Sequence, residues 1–410
     1  MAALGATAAY IHIPFCRQRC FYCDFPVTVV GQQSLTLSGW IGDYVTALCQ
    51  EIRAYPPGHF PLQTVFLGGG TPSLLPIAGL TQILATLHHH WGIASNAEIS
   101  IEIDPGTFDA HQLRTYQDLG INRFSLGLQA FQDALLATCG RHHRLQDIDQ
   151  ALTAIAQVGV KNWSLDLISG LPQQTLAQWQ QSLTLAIQAQ PTHISCYDLV
   201  LEPQTVFDKQ AQRGQLAFPP DDLSADFYRQ AQQILTHAGF DHYEISNYAQ
   251  PGYQCRHNQV YWRNRPYYGV GMGATSYLNG QRFSRPRTRT AYYQWLQQWL
   301  ASPEPYPGDT VSATETLLES LMLGLRLSTG VTWDHLPLTT PQQRQQILAV
   351  LIPFRQRQWV AAWDQQQTLV SPQRNEINDI HGFRLQDPEG FLYSNQILSA
   401  LFAALTDPEP

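Results

Sequence analysis

Ala8-Ala-Tyr-Ile-His-Ile-Pro-Phe-Cys16-Arg-Gln-Arg-Cys20-Phe-Tyr-Cys23 sets a short apolar run directly before three thiols within eight residues. The run reads as a strand, so the thiols fall on a loop at the C-terminal edge of a sheet. That edge is where α/β folds gather their functional groups. Thiolates ligate iron-sulfur clusters, and an ordinary electron-transfer [4Fe-4S] centre takes four of them. Cys16, Cys20 and Cys23 supply three, which leaves one iron open to an amino group and a carboxylate, the pair at the methionine end of S-adenosylmethionine (SAM). Two plainer readings compete. Zinc prefers four protein ligands and would have to recruit His12 from the strand, while core cysteines seldom fall at such gaps beside Arg17 and Arg19. The cluster is the preferred reading.

Outward from this loop, short β-rich runs alternate with helix-periodic segments. Strands are predicted at 9–13, 64–67, 98–103, 123–128, 162–168 and 193–199, and helices at 41–52, 80–91, 110–119, 148–158, 179–189 and 225–238. Such alternation predicts a parallel sheet with right-handed crossovers and ligands at the strands' C-terminal rim. After Ile245 the pattern stops. A Tyr-, Arg- and Asn-rich irregular region runs to Arg289, followed by a helix at 290–300, a Pro-rich linker at 302–308 and a capping-box start, Ser312-Ala-Thr-Glu315. The domains expected are therefore 1–245, 246–310 and 311–410.

With 44% hydrophobic residues among 410, the chain can build a large core. No apolar run reaches a membrane-spanning length, so no integral membrane segment is expected. The N-terminus lacks the basic region of an export signal. Seven cysteines, four of them scattered (Cys49, Cys139, Cys196, Cys255), fit a reducing cytoplasm better than a disulfide framework. A net charge of -8 argues against nucleic acid as partner. The one basic stretch, Arg282, Arg285, Arg287 and Arg289, reads as a solvated loop.

The opening stretch resembles the radical SAM family that contains oxygen-independent coproporphyrinogen III oxidases and haem chaperones. The resemblance continues through Gly68-Gly-Gly-Thr-Pro72, Ser125-Leu-Gly-Leu-Gln129, Asp166-Leu-Ile-Ser-Gly-Leu-Pro172 and His257-Asn-Gln-Val-Tyr-Trp262, covering nearly the whole chain. It implies an α/β fold, a radical SAM partial (β/α)6 barrel with a mainly helical C-terminal domain. It also implies a SAM site made by Tyr10, Tyr22, Gly69, Gly70, Thr71, Glu102, Gln129, Arg141 and Asp166. In that site the Gly run receives the amino group, Arg141 a carboxylate, and Asp166 a nucleoside hydroxyl.

Three features separate the two branches. The oxidases resemble C-x3-C-x2-C-x-C, and this chain has Asp24-Phe25 after the third cysteine. They also carry a long segment ahead of the first strand, whereas Tyr10 stands nine residues from the start. Finally, His257-Asn258-x-x-Tyr261-Trp262 resembles the HNxxYW motif of the chaperone branch. An imidazole is a usual axial ligand of haem iron and aromatic rings wall a macrocycle, although a lone His beside aromatics is more often a packed one. Thr275 stands where the family segment leads us to expect His, which concentrates the haem hypothesis on His257; Met272 and Cys255 read as core. The function expected is a haem chaperone that holds a [4Fe-4S] cluster, SAM and haem and passes haem to haem-accepting target proteins, with a homodimer an open option. The alternative is a radical SAM enzyme of the coproporphyrinogen oxidase type.

Overall fold

The computed structural model describes residues 5–31, 37–302, 311–337, 340–372 and 379–406. It divides into two compact units, Met1–Phe227 with Pro266–Asp309, and Tyr228–Arg265 with Thr310–Pro410.

The first unit carries six parallel strands in chain order: β1 (Ala8–Ile13), β2 (Leu62–Gly69), β3 (Ile93–Ile103), β4 (Arg123–Gln129), β5 (Trp163–Ser169) and β6 (His193–Asp198). All six were predicted, because each reads as a short apolar or alternating run; five of the six residues of β1 are buried. β3 begins five residues earlier than predicted, since its first four residues, Ile93 to Asn96, are not buried and carry no apolar signal. Helices Leu37–Ala54, Ile77–Trp91, Ala110–Asp118, Leu145–Val158 and Leu176–Gln188 lie between the strands in sequence. Leu145–Val158 stops where Gly159 turns left-handed, at φ 71°.

The region read as irregular is more ordered than its composition suggests. It holds the helix Arg256–Trp262, an edge strand Tyr268–Val270 parallel to β1, and a hairpin of Thr275–Leu278 with Gln281–Ser284. Strands of three or four residues are too short to show a period. Nor is the arginine stretch a solvated loop. The Arg285 side chain is fully buried against Glu51, Nε to Oε1 at 2.7 Å, because the fork of the guanidinium also finds Ser276 Oγ, at 2.8 Å, and the Tyr55 hydroxyl. Arg282 covers the Tyr277 ring and Arg289 the Trp40 ring, at 4.3 and 4.2 Å from the ring centres.

In the second unit the helices Ala313–Gly324, Pro341–Gln356 and Ser394–Thr406 enclose a core that includes Leu321, Ile347, Leu351, Phe383, Ile397 and Leu401. Ser312 and Glu315 cap the first of them reciprocally, as their spacing predicts. A three-stranded antiparallel sheet accompanies the helices, in the order Val331–Thr332, Gly382–Leu385, Val360–Trp363. From residue 303 on, the Pro-rich stretch lies outside the described residues. Among the described residues no helix is long and apolar enough to cross a membrane.

Candidate functional site

Past Pro14 the chain forms a two-residue parallel pair, Phe15–Cys16 with Thr28–Val29, which closes the cysteine loop at its base. Thr28 N–H donates to Pro14 O at 2.6 Å and Val30 N–H to Cys16 O at 2.9 Å. The loop is tied down at its tip as well: Phe21 N–H donates to Cys139 O and Gln18 Nε2 to Gly140 O, at 2.9 and 3.0 Å. Cys139 thus serves through its backbone, with its side chain buried in the core. Cys16, Cys20 and Cys23 are half-buried, free, and line one cavity of about 370 Å³. Among the described residues no three His, Cys, Asp or Glu side chains converge closely enough for one metal ion. Thiols spread around a cavity suit a cluster, whose irons each take one thiolate, better than a single zinc ion. His12, the candidate fourth zinc ligand, spends both ring nitrogens elsewhere, on the Tyr10 hydroxyl at 3.0 Å and Pro26 O at 2.9 Å. Burial pushes the Cys16 thiol up to about 12, with Asp104 adding to the effect, so its use as a ligand must displace a proton.

The same cavity gathers Tyr22, Gly69, Gly70, Thr71, Glu102, Gln129, Arg141 and Asp166. Of the residues expected there, Tyr10 does not line it. Gly70 is tight for a reason visible in its surroundings: a Cβ would stand 2.8 Å from Phe15 O and 2.9 Å from Ile13 O. Gly69 adopts φ 114°, where side chains are strained, and a Cβ would meet the His12 ring. The run spends its N–H groups internally, Gly69 on Glu102 Oε2 at 2.8 Å, Gly70 on Ile13 O at 2.8 Å and Thr71 on Phe15 O at 2.7 Å. What it can offer a ligand is carbonyl oxygen, the acceptor an ammonium group requires.

Arg141 and Asp166 are engaged differently from the expectation. The Arg141 guanidinium is held by the protein itself, Nη2 to Asp104 Oδ1 at 2.6 Å and to Gly127 O at 3.0 Å, and Nη1 to Cys20 Sγ at 3.4 Å. Its reach to Cys20 makes it a brace of the cysteine loop. The Asp166 carboxylate accepts from Ser125 Oγ at 2.9 Å and Ser164 Oγ at 3.1 Å; burial raises its pKa, and these hydroxyls oppose the rise. Burial also pushes the Glu102 carboxyl up to about 8, against the Gly69 N–H and helped by Asp166 and Asp104. Gln129 stands out. It ends β4 with a left-handed backbone, φ 66°, and its Oε1 is buried with no hydrogen-bond partner among the described residues. An orphaned acceptor in a cavity wall is an open place for a ligand donor. Asp104, which accepts from both Arg141 and Thr71 Oγ1 (3.1 Å), was not foreseen. The signal was its alternation with Glu102 along the β3 exit. The donor set, three thiols, a glycine run that can offer carbonyl oxygen and an orphaned amide oxygen lining one cavity, fits a [4Fe-4S] cluster and SAM.

His257 lies elsewhere, in the second unit. It is buried, 1% exposed, and its Nε2 meets the Tyr261 hydroxyl at 2.8 Å one turn along the helix Arg256–Trp262. Cys255 and Met272 are buried core residues.

The radical SAM superfamily profile matches residues 10–186. A Synechocystis protein named heme chaperone HemW is 65% identical over 404 residues, 98% of either chain. The Escherichia coli heme chaperone HemW is 38% identical, over 80% of this chain and 84% of its own. Among solved structures, the radical SAM enzyme coproporphyrinogen III oxidase (HemN) from Escherichia coli superposes with a TM-score of 0.77 at 21% identity, over 97% of this chain and 90% of its own, a likeness of fold. With the cysteine loop and its cavity in place on the parallel sheet, and likeness at this level over the whole chain, the protein belongs to the HemW family of radical SAM proteins.

Proposed function

We propose that this protein is a haem chaperone, which binds haem and passes it to target haemoproteins while keeping a [4Fe-4S] cluster on Cys16, Cys20 and Cys23 and a SAM site beside it. The observation that carries the reading is the 65% identity to a heme chaperone HemW over 98% of the chain, which spans the cysteine loop and the second unit alike. The local chemistry agrees. Phe25, where the oxidases have a further cysteine, is 54% exposed and offers no thiolate, and Asp24 beside it is paired with Arg287. The seven cysteines form no disulfide among the described residues, as suits a reducing cytoplasm.

A bound, reduced cluster could supply an electron to the SAM sulfonium. The chain's own groups act around it: Arg141 and Thr71 hold the loop thiols Cys20 and Cys16, Glu102 fixes the Gly69 turn, and Gln129 presents an acceptor to the ligand. Titrating the purified protein with haemin under anaerobic conditions, then adding an apo-haemoprotein, tests the proposal. A saturable Soret change followed by transfer to the acceptor is expected. A protein that binds no haem yet decarboxylates coproporphyrinogen III would overturn it.

A further inference from the structure

A cavity of about 680 Å³ lies wholly within the second unit, in the ~300–1,000 Å³ range of ligand pockets. Its wall brings together three kinds of group that are far apart in sequence. Trp262 and Trp363 offer flat apolar surface, His335 and His381 offer imidazoles, and Arg263, Arg265 and Arg384 offer cations. We propose that this cavity is where haem is received, with His335 as axial ligand, His381 as the second imidazole, the arginines on the propionates, and His257 as a positioning residue outside it. The proposal rests on the haem-chaperone reading and assigns that reading's site.

The arginines are the first argument. None of the three has a carboxylate partner among the described residues, and Arg263 and Arg265 repel each other enough that burial and this neighbour together hold Arg263 below its ordinary range. All three are exposed at the cavity, where guanidiniums grouped without a carboxylate of the protein can take a ligand's carboxylate in a bidentate fork. A flat apolar molecule with two carboxylates meets both requirements of this wall. The second argument is Trp262. Its Nε1 is buried without a hydrogen-bond partner among the described residues, and an indole N–H can only donate, so it too awaits an acceptor.

The imidazoles are unlike each other. His335 Nδ1 pairs with Thr332 Oγ1 at 2.9 Å, which orients the ring, and its Nε2 has no partner among the described residues, the arrangement typical of metal-ligating histidines. No hydrogen bond of the His381 ring is found among the described residues. His257 has the opposite character. It is buried, its Nε2 is taken up by Tyr261, and it does not line the cavity. What it does is hold the helix whose end delivers Trp262. Beyond that end Asn264, at φ 48°, donates to Glu319 Oε2 at 3.1 Å and fixes the turn that carries Arg263 and Arg265.

The test titrates haemin into the full-length protein and its variants, reading the Soret band and the ferric spin state by EPR. His335→Ala and His381→Ala should each change the spin state and weaken binding by at least roughly tenfold, and Thr332→Val by roughly tenfold, as loss of an orienting partner does. Thr329→Trp, at an exposed position on the wall, fills the cavity from its edge and should weaken haemin in the same way without touching a ligand. The dimethyl ester of haemin should bind more weakly to wild type, and lose less than haemin does when Arg263, Arg265 and Arg384 are each changed to Gln. Retention of the wild-type spectrum and affinity in His335→Ala, His381→Ala and Thr329→Trp, while His257→Ala loses both, would overturn the site and leave the chaperone reading standing. A wild type that binds no haemin would overturn that reading itself.

Discussion

Glu51 and Arg285 have no exposed side-chain surface, and the first unit should depend on their being present together. The carboxylate accepts from Arg285 Nε at 2.7 Å, Gly271 N at 2.9 Å and the Tyr292 hydroxyl at 2.7 Å. Substituting Arg285→Met leaves a buried anion with two neutral donors, and removing one partner of such a pair costs about 3–5 kcal/mol. Glu51→Leu strands the guanidinium at a similar cost. In the double variant neither charge remains, so the penalty should fall to about 2 kcal/mol, the price of leaving the Gly271 N–H and the Tyr292 hydroxyl without an acceptor. The expected coupling, the sum of the singles less the double, is therefore about 4–8 kcal/mol in favour of the double. Urea unfolding followed by tryptophan fluorescence measures it, since Trp295 lies 5.8 Å from the Arg285 guanidinium. Additive single costs would show that the two groups do not act as a desolvated pair, and the reasoning would fail. Because Gly271 follows the strand that pairs with β1, the single variants should also hold less iron than the double.

At the cysteine loop, Cys16→Ser, Cys20→Ser and Cys23→Ser should each lose the cluster's absorbance and iron while Cys139→Ser keeps both; equal iron in all four would sink the ligand assignment. Gln129→Asn, which tolerates the left-handed backbone but is one methylene shorter, should weaken SAM binding by about 1–3 kcal/mol, the worth of a buried acceptor left unmet, and calorimetry at unchanged melting temperature would show it. Glu244 gives a pH signature. Burial pushes its carboxyl from the ordinary 4.5 to about 7, so the folded state binds the proton more tightly. Its stabilising contribution is then complete below pH ~4.5 and is lost as pH rises through ~7, about 3 kcal/mol in all at ~1.4 kcal/mol per pH unit. Glu244→Gln should flatten the stability of the second unit over that window; an unchanged slope would refute the assignment.

The six strands and the cysteine loop were legible because each is a local pattern: short apolar or alternating runs, and thiols at fixed gaps. Glu51 was legible in principle and passed over. Helix Leu37–Ala54 buries Ile41, Tyr44, Val45, Leu48 and Ile52, and Glu51 stands three residues from Leu48 and seven from Tyr44, on the same stripe. A carboxylate there demands a partner, which the arginine stretch supplies. Likewise Asn279-Gly280, with φ of 52° and 74°, is the ordinary two-residue turn of a hairpin, hidden by the brevity of its strands. Arg141 was expected at the cavity and lines it, but its pairing with Asp104 at 2.6 Å was not legible, because it joins loops after two adjacent strands that lie far apart in sequence. The second unit's cavity had no pattern to read at all, being assembled from the turn after residue 262, the segment 324–336 and the strands around 363 and 384.

The two cavities differ in how their polar groups are settled, and the difference bears on what each can do. Around the cysteines charged and hydroxyl side chains are paired within the protein, Arg141 with Asp104 and Cys20, Thr71 with Asp104, Asp166 with two serines, and the open polar atoms among the described residues are Gln129 Oε1 and Arg141 Nε. Such a wall is preorganised, and its ligands are held without rearrangement. The second cavity leaves its arginines and an indole N–H unmet, and both Arg384 and His335 are exposed to solvent. A carrier has to release its cargo, and differences in affinity between related sites reside mostly in the rate of release. An axial imidazole on an exposed turn, oriented by a single threonine hydroxyl, is reachable by a competing ligand from an acceptor protein in a way that the buried His257 is not. Thr332→Val should accordingly speed haem transfer to an apo-acceptor as it weakens retention, by about the same factor of roughly ten, and slower transfer from that variant would separate the site of binding from the site of hand-over.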